Sequence, residues 1–188
     1  MRTKLNRLTW TLILIILLSG CVGTWTKVDT KNTVFENSYY KTTLPVGWVH
    51  IAINDSLLIT RDGPGIQRIE INYYEHEKAF EKLKKSSSSN MLPSELAELY
   101  ISNLKALDTN GLPSLEIISN EPTEISGQQG FELHLKFTAE NGLHHEALVK
   151  GFVVDKGFYV TSYTAPSLHF FQQYKEKYHT VVTHFKST

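Results

Sequence analysis

A single cysteine, Cys21, is all the thiol chemistry this 188-residue chain possesses. No disulfide can form within it, and no paired-cysteine metal site exists. Stability has to come from packing. An excess of one charge is also missing, because 19 Lys and Arg balance 19 Asp and Glu. Beyond residue 20 the balance is 16 basic against 19 acidic side chains, a net of −3. Nucleic-acid backbones are gripped by clustered Lys and Arg, so no nucleic-acid partner is expected. The mostly apolar run from Leu8 to Leu18 covers about 16 Å as a helix, against about 30 Å of bilayer hydrocarbon. It is too short to span. Catalytic signatures are absent as well: no His-Glu-x-x-His, no nucleophile-elbow Gly-x-Ser-x-Gly and no phosphate loop can be found. Gly63-Pro64-Gly65 lacks the Lys-Ser/Thr of such a loop, and Pro64 removes an amide donor. The chain is expected to be no enzyme and to need no cofactor.

What is present begins at the N-terminus. Arg2, Lys4 and Arg7 precede the short apolar run and no acid interrupts them, the layout of an exported leader. Leu18-Ser19-Gly20-Cys21 then resembles the lipobox of bacterial lipoproteins: a branched apolar residue, two small ones and the thiol that accepts the lipid. The resemblance implies cleavage before Cys21, acylation of that cysteine, and attachment to a membrane through its acyl chains. One chain alone binds membranes marginally, and stable anchoring takes two or more. Val22 after the cysteine, rather than Asp, resembles the pattern of Gram-negative lipoproteins sent on to the periplasmic side of the outer membrane. Residues 1–20 are thus expected as a signal peptide and 21–32 as a lipidated, flexible tether. Residues 33–188 are expected as a single domain, which suits 41% hydrophobic and 20% charged composition.

Within that domain, Pro45 and Gly47 mark a turn before an extended stretch from Trp48. Ser56–Arg61 and Ile66–Tyr74 flank Asp62-Gly63-Pro64-Gly65 as a hairpin, and Ile69, Ile71 and Tyr73 alternate with Arg68, Glu70 and Asn72. Lys84 to Asn90, with four serines, reads as a mobile surface loop. Pro93 and Ser94 open a helix to about Leu107, with Leu96, Leu99, Tyr100, Leu104 and Leu107 on one side. Strands are predicted at Leu115–Ser119, Phe131–Ala139, Leu143–Val154 and Phe158–Tyr163, the middle pair joined at Asn141-Gly142. Pro166 suits the first turn of a last helix, whose stripe is Phe171, Tyr174, Tyr178, Val181, Val182 and Phe185. Hairpin-linked strands with two helices imply an α+β class, an antiparallel β-sheet flanked by helices in an αβα sandwich.

The Leu44-Pro45-Val46-Gly47-Trp48 turn, the Leu57 to Ile71 hairpin and the helix beginning Ser94-Glu95-Leu96 carry a resemblance, with Gly127, Gly130-Phe131 and the ending from Phe158-Tyr159 through Ala165-Pro166 to Phe185. Together they resemble the PsbP-like fold shared by photosystem PsbP proteins, a Ran-binding nuclear-import factor and DcrB-type envelope lipoproteins. The resemblance implies a non-catalytic accessory module that docks an envelope protein. It carries over no functional residue.

Three groups of residues invite a site. The doublets Tyr39-Tyr40 and Tyr73-Tyr74 lie on strands, where alternation turns one member outward as a partner contact unless both faces are covered. Phe170-Phe171 and Trp48 read more simply as core. His144-His145-Glu146 is the densest metal-ligating cluster and marks the alternative of a small-ligand or metal-binding protein, although neighbours on a strand point to opposite faces. His179 and His184, about 140° apart round a helix, do not share a face. Ser167 with His169 could be cast as a hydrolase pair, but a helix start explains Ser167 more simply. Gly127-Gln128-Gln129-Gly130 has no basic neighbours and reads as a turn.

Overall fold

The computed structural model describes residues 24–107 and 114–188. Its strands are β1 (Thr26–Lys27), β2 (Val34–Glu36), β3 (Tyr40–Thr43), β4 (Val49–Ile53), β5 (Ser56–Thr60) and β6 (Arg68–Glu75), then, after the first helix, β7 (Glu116–Ile125), β8 (Gln128–Thr138), β9 (His144–Val154), β10 (Gly157–Pro166) and β11 (Lys186–Ser187). The helices are α1 (Pro93–Leu107) and α2 (Phe170–Thr183). Eight strands form one antiparallel sheet in the order β1-β4-β5-β6-β10-β9-β8-β7, and β11-β3-β2 form a small second sheet. The α+β expectation holds.

Burial explains why the central strands read as nearly unbroken apolar runs. In β10 only Ser162 and Pro166 escape full burial, and β9 is almost as enclosed. Such strands have cover on both faces. Alternate residues separate cleanly between two cores. Leu148 and Phe152 of β9 and Tyr159, Tyr163 and Ala165 of β10 pack under α2 and the small sheet, where Trp48, Tyr40 and Phe185 join them. Ala147, Val149, Val153, Phe158 and Val160 pack on the other face with Leu96, Ala97 and Ile101 of α1. Pro93 opens α1, and the Glu95 carboxylate accepts from the Leu92 amide at 3.0 Å, closing half a capping box.

Several boundaries differ from the sequence reading. The stretch 21–32 was expected to be a flexible tether, yet Thr26 and Lys27 pair with His50 and Val49, and Val28 is buried. One apolar side chain with a partner strand brings the chain into the sheet before residue 33. The 84–90 segment is pinned rather than free: Ser87 is buried, its Oγ lies 2.7 Å from His76 Nδ1, and its amide donates to the His76 carbonyl. Strand β7 runs to Ile125 through Pro122, which an outer edge strand tolerates because its missing donor can face away from the ladder. Pro166 ends β10 opposite His145 instead of opening a helix, and Ser167 extends that ladder by donating to the His144 carbonyl. Strand β11 was not anticipated. Gly127 and Ser126, both at positive φ, form the two-residue turn between β7 and β8.

Candidate functional site

Two of the four tyrosines singled out by sequence meet in a cleft of about 440 Å³ lined by Tyr39, Tyr73, Tyr159, Gln128, Asp155 and Lys156, among others. It opens at the end of the main sheet where β6 and β9 finish and β8 and β10 begin, beneath the small sheet. Tyr39 stacks on Tyr73 with ring centroids 4.4 Å apart, and Tyr73 leans on Tyr159 at 4.9 Å. Two of the three hydroxyls are already committed: Tyr73 donates to the Lys156 carbonyl at 3.0 Å and Tyr159 to the Tyr39 carbonyl at 2.6 Å. Burial, with the neighbouring phenols adding to it, pushes the Tyr159 hydroxyl up to about 12, and burial likewise raises Tyr73. Both stay protonated at neutral pH. The cleft therefore presents aromatic faces and a rim carrying a cation, an anion and an amide, which is a surface for binding.

Tyr40 and Tyr74 go elsewhere. Tyr40 is fully buried, stacked on Phe185, and its hydroxyl is raised chiefly by burial. Tyr74 packs on Phe158 in the α1-side core. Each doublet therefore sends one member to the cleft, half-buried Tyr39 and buried Tyr73, and the other into a core: Tyr40 lies on the covered face of β3, and Tyr74 faces α1 across the main sheet. The sequence reading also missed Tyr159, whose place in the cleft depends on the pairing of β6 with β10 opposite Tyr73.

The histidine cluster does not converge. His145 is buried and stacks on Phe137 at 5.5 Å, while His144 Nδ1 lies 3.0 Å from Thr138 Oγ1 on the opposite face. Glu146 pairs instead with His134 across the strand, Oε2 to Nε2 at 2.7 Å, and His134 stacks on Phe171 of α2. Among the described residues no three His, Cys, Asp or Glu side chains are grouped to hold a metal ion. Ser167 Oγ is buried without a hydrogen-bond partner among the described residues, and His169 faces the ring of Phe170. The lipobox residues Leu18, Ser19, Gly20 and Cys21 lie outside the described residues.

No family profile matches the chain, and no curated protein matches it in sequence. Its fold, however, superimposes on the solution structure of cyanobacterial PsbP (CyanoP) from Synechocystis sp. PCC 6803, with a TM-score of 0.56 at 12% identity over 91% of this chain and 95% of that one. The fold is PsbP-like. The same PsbP-like architecture aligns with a crystal structure from Bacteroides thetaiotaomicron VPI-5482 at a TM-score of 0.54 and 11% identity. That match covers 83% of this chain and 48% of the other, so the chain spans about half its length. The Ran-binding protein Mog1p of Saccharomyces cerevisiae aligns at a TM-score of 0.50 and 11% identity, over 88% of this chain and 95% of that one. In this PsbP-like domain the cleft draws its lining from β6, β8, β9, β10 and the segments around β3 and β11.

Proposed function

We propose that the protein is a lipoprotein of the bacterial envelope, acylated at Cys21, whose PsbP-like domain docks a protein partner in the tyrosine cleft and performs no chemistry. The observation that carries this reading is the cleft itself, because the phenols of Tyr73 and Tyr159 are spent on backbone carbonyls and the three rings leave aromatic faces with a polar rim. Aromatic side chains so placed are typical anchors of protein interfaces. The Ran-binding protein among the folds it resembles supports the reading by analogy. The lipobox supports the anchoring, and Val22 supports the outer membrane as destination if the source is Gram-negative. A second reading has one specific observation in its favour: about 440 Å³ is within the range of small-ligand sites.

The test is a photo-reactive residue placed at exposed Gln128 on the cleft rim, and at exposed Glu98 on α1 as a control, in the acylated protein in cells. A discrete protein adduct from Gln128, absent from Glu98 and lost with Tyr39→Ala, is the expected result. Equal adducts from both positions would overturn docking at the cleft. Native mass spectrometry showing a copurified small molecule lost with Tyr39→Ala would instead favour the second reading.

A further inference from the structure

The chain enters the main sheet from the side of the tyrosine cleft. Strand β1 runs antiparallel to β4, with Thr26 opposite His50 and Lys27 opposite Val49, so the residues before Thr26 come in from the direction of Ile53 and the Asn54-Asp55 turn. That turn borders the cleft, since the Tyr73 amide donates to the Asp55 carbonyl at 3.4 Å and Ser56 pairs with Asn72. Gln128, Asp155 and Tyr159 line the cleft at the same end of the sheet. The other end is remote. Strand β10 leads away from the cleft for ten residues, Gly157 to Pro166, a length of about 33 Å, and exposed Leu168 lies beyond it.

We infer, on the lipoprotein reading and on docking at the cleft, that the cleft opens at the surface of the membrane that carries the acyl chains, and that the partner docked there is a protein held in that same membrane. The length of the tether decides this. Cys21 precedes Thr24, where the described domain starts, by three positions, a span of about 11 Å at full extension. An acylated Cys21 lies at the lipid headgroups, so Thr24 stays within that distance of them whatever path the chain takes. Strand order β1-β4-β5-β6 puts Tyr73 three strand steps from β1, about 14 Å across the sheet. Trp25, 46% exposed just before β1, and Ile53, 55% exposed at the end of β4, sit where the anchor enters, and an indole favours the membrane interface.

Charge does not choose the occupant in favour of lipid. The 76–87 segment caps this end of the sheet, with the Ser87 amide on the His76 carbonyl and His76 Nε2 3.3 Å from the Asp155 carbonyl oxygen. Together with Asp55, Glu75, Asp155 and Lys156 it carries five acids and five lysines. A balanced rim has no cation excess to select lipid phosphate, whereas clustered aromatic rings are what a protein side chain packs on. Sharing one membrane also raises the effective concentration of partner at the cleft, which a protein dissolved in the aqueous compartment does not gain.

The test has two arms, both on the full acylated protein. In vesicles of phosphatidylethanolamine and phosphatidylglycerol with nitroxides on some headgroups, Ile53→Cys, Gln128→Cys and Leu168→Cys each carry a single fluorophore, because acylated Cys21 has no free thiol. All three positions are exposed. Quenching several-fold stronger at 53 and 128 than at 168 is the expected result. Quenching at 168 equal to that at 128 overturns the inference, and so does quenching at 53 alone, which would lay the β1 edge on the membrane and turn the cleft aside. A chain whose mass shows no acyl groups overturns the lipoprotein reading instead. In cells, the adduct of a photo-reactive residue at Gln128 is digested and the partner peptide read by mass spectrometry. A protein with a membrane-spanning segment or a lipid anchor of its own is expected. A partner with neither, or an adduct to lipid alone, overturns the membrane-held partner, while the absence of any adduct overturns docking at the cleft.

Discussion

Tyr159 and Tyr39, 120 residues apart in sequence, are joined by a 2.6 Å hydrogen bond from phenol to backbone carbonyl that ties the main sheet to the small one. The same carbonyl accepts the Thr188 amide at 2.9 Å, so two long-range contacts close on a single acceptor. Replacing Tyr159 by Phe keeps the ring and its packing on Phe152 while removing one of these donors. A loss of about 1 kcal/mol is expected, read from the urea midpoint. An unchanged midpoint would mean that packing of Tyr40 and Phe185 alone holds the small sheet in place.

Gly151 marks a place where the α1-side core has no room. A Cβ built on it would lie 2.6 Å from Phe131 Cζ and 2.9 Å from Phe158 Cε2, both buried rings. Gly151→Ala is expected to destabilise the domain by about 1–3 kcal/mol through overpacking. Gly65→Ala meets nothing within 4 Å and serves as the control, with a midpoint close to the parent's.

His169 offers a change in the opposite direction. Its φ of 72° is one that L side chains rarely adopt, and relief of such strain is worth of order 1 kcal/mol or more. Glycine adopts it without cost but adds freedom to the unfolded chain. His169→Gly is expected to raise the thermal midpoint by a few degrees at neutral pH. A lowered midpoint would show that the imidazole contact with Phe170 outweighs the strain.

Acid should weaken the domain through His50. Burial lowers its pKa from 6.5, and its Nδ1 is buried with no partner among the described residues. The native state then binds fewer protons at this site than the unfolded chain, so stability rises with pH there. The contribution is complete above pH 6.5 and is lost as pH falls below that value toward the lower folded pKa. His50→Phe, which keeps an aromatic ring against Phe35, is expected to flatten the change in urea midpoint between pH 7.5 and pH 5.5. An unaltered pH dependence would place the titrating group elsewhere.

Periodicity was legible where one face met a core and the other met polar neighbours. In β6, Ile69, Ile71 and Tyr73 are buried and Arg68, Glu70 and Asn72 half-buried, as alternation predicts. It misled at Pro166, where a residue suited to a helix start instead ends the longest central ladder. The aromatic doublets were noticed for the right reason, but Tyr40 took the covered face of β3 and Tyr74 the α1-covered face of the main sheet, leaving Tyr39 and Tyr73 for the cleft. Strand β7 was read short because six of its ten residues are polar and one is Pro122, a pattern set by its place at the edge.

By itself the sequence determined the α+β class, the helix at Pro93–Leu107, most strands and the separation of His144 from His145, because each follows from local spacing along one element. Tertiary structure alone decided the cleft. Tyr73, Tyr159 and Gln128 come together only through the pairing of β6 with β10, β10 with β9 and β9 with β8, and Tyr39 joins them where the small sheet packs on the main one. Strand order is set by burial summed over two whole faces, a quantity that no local pattern contains.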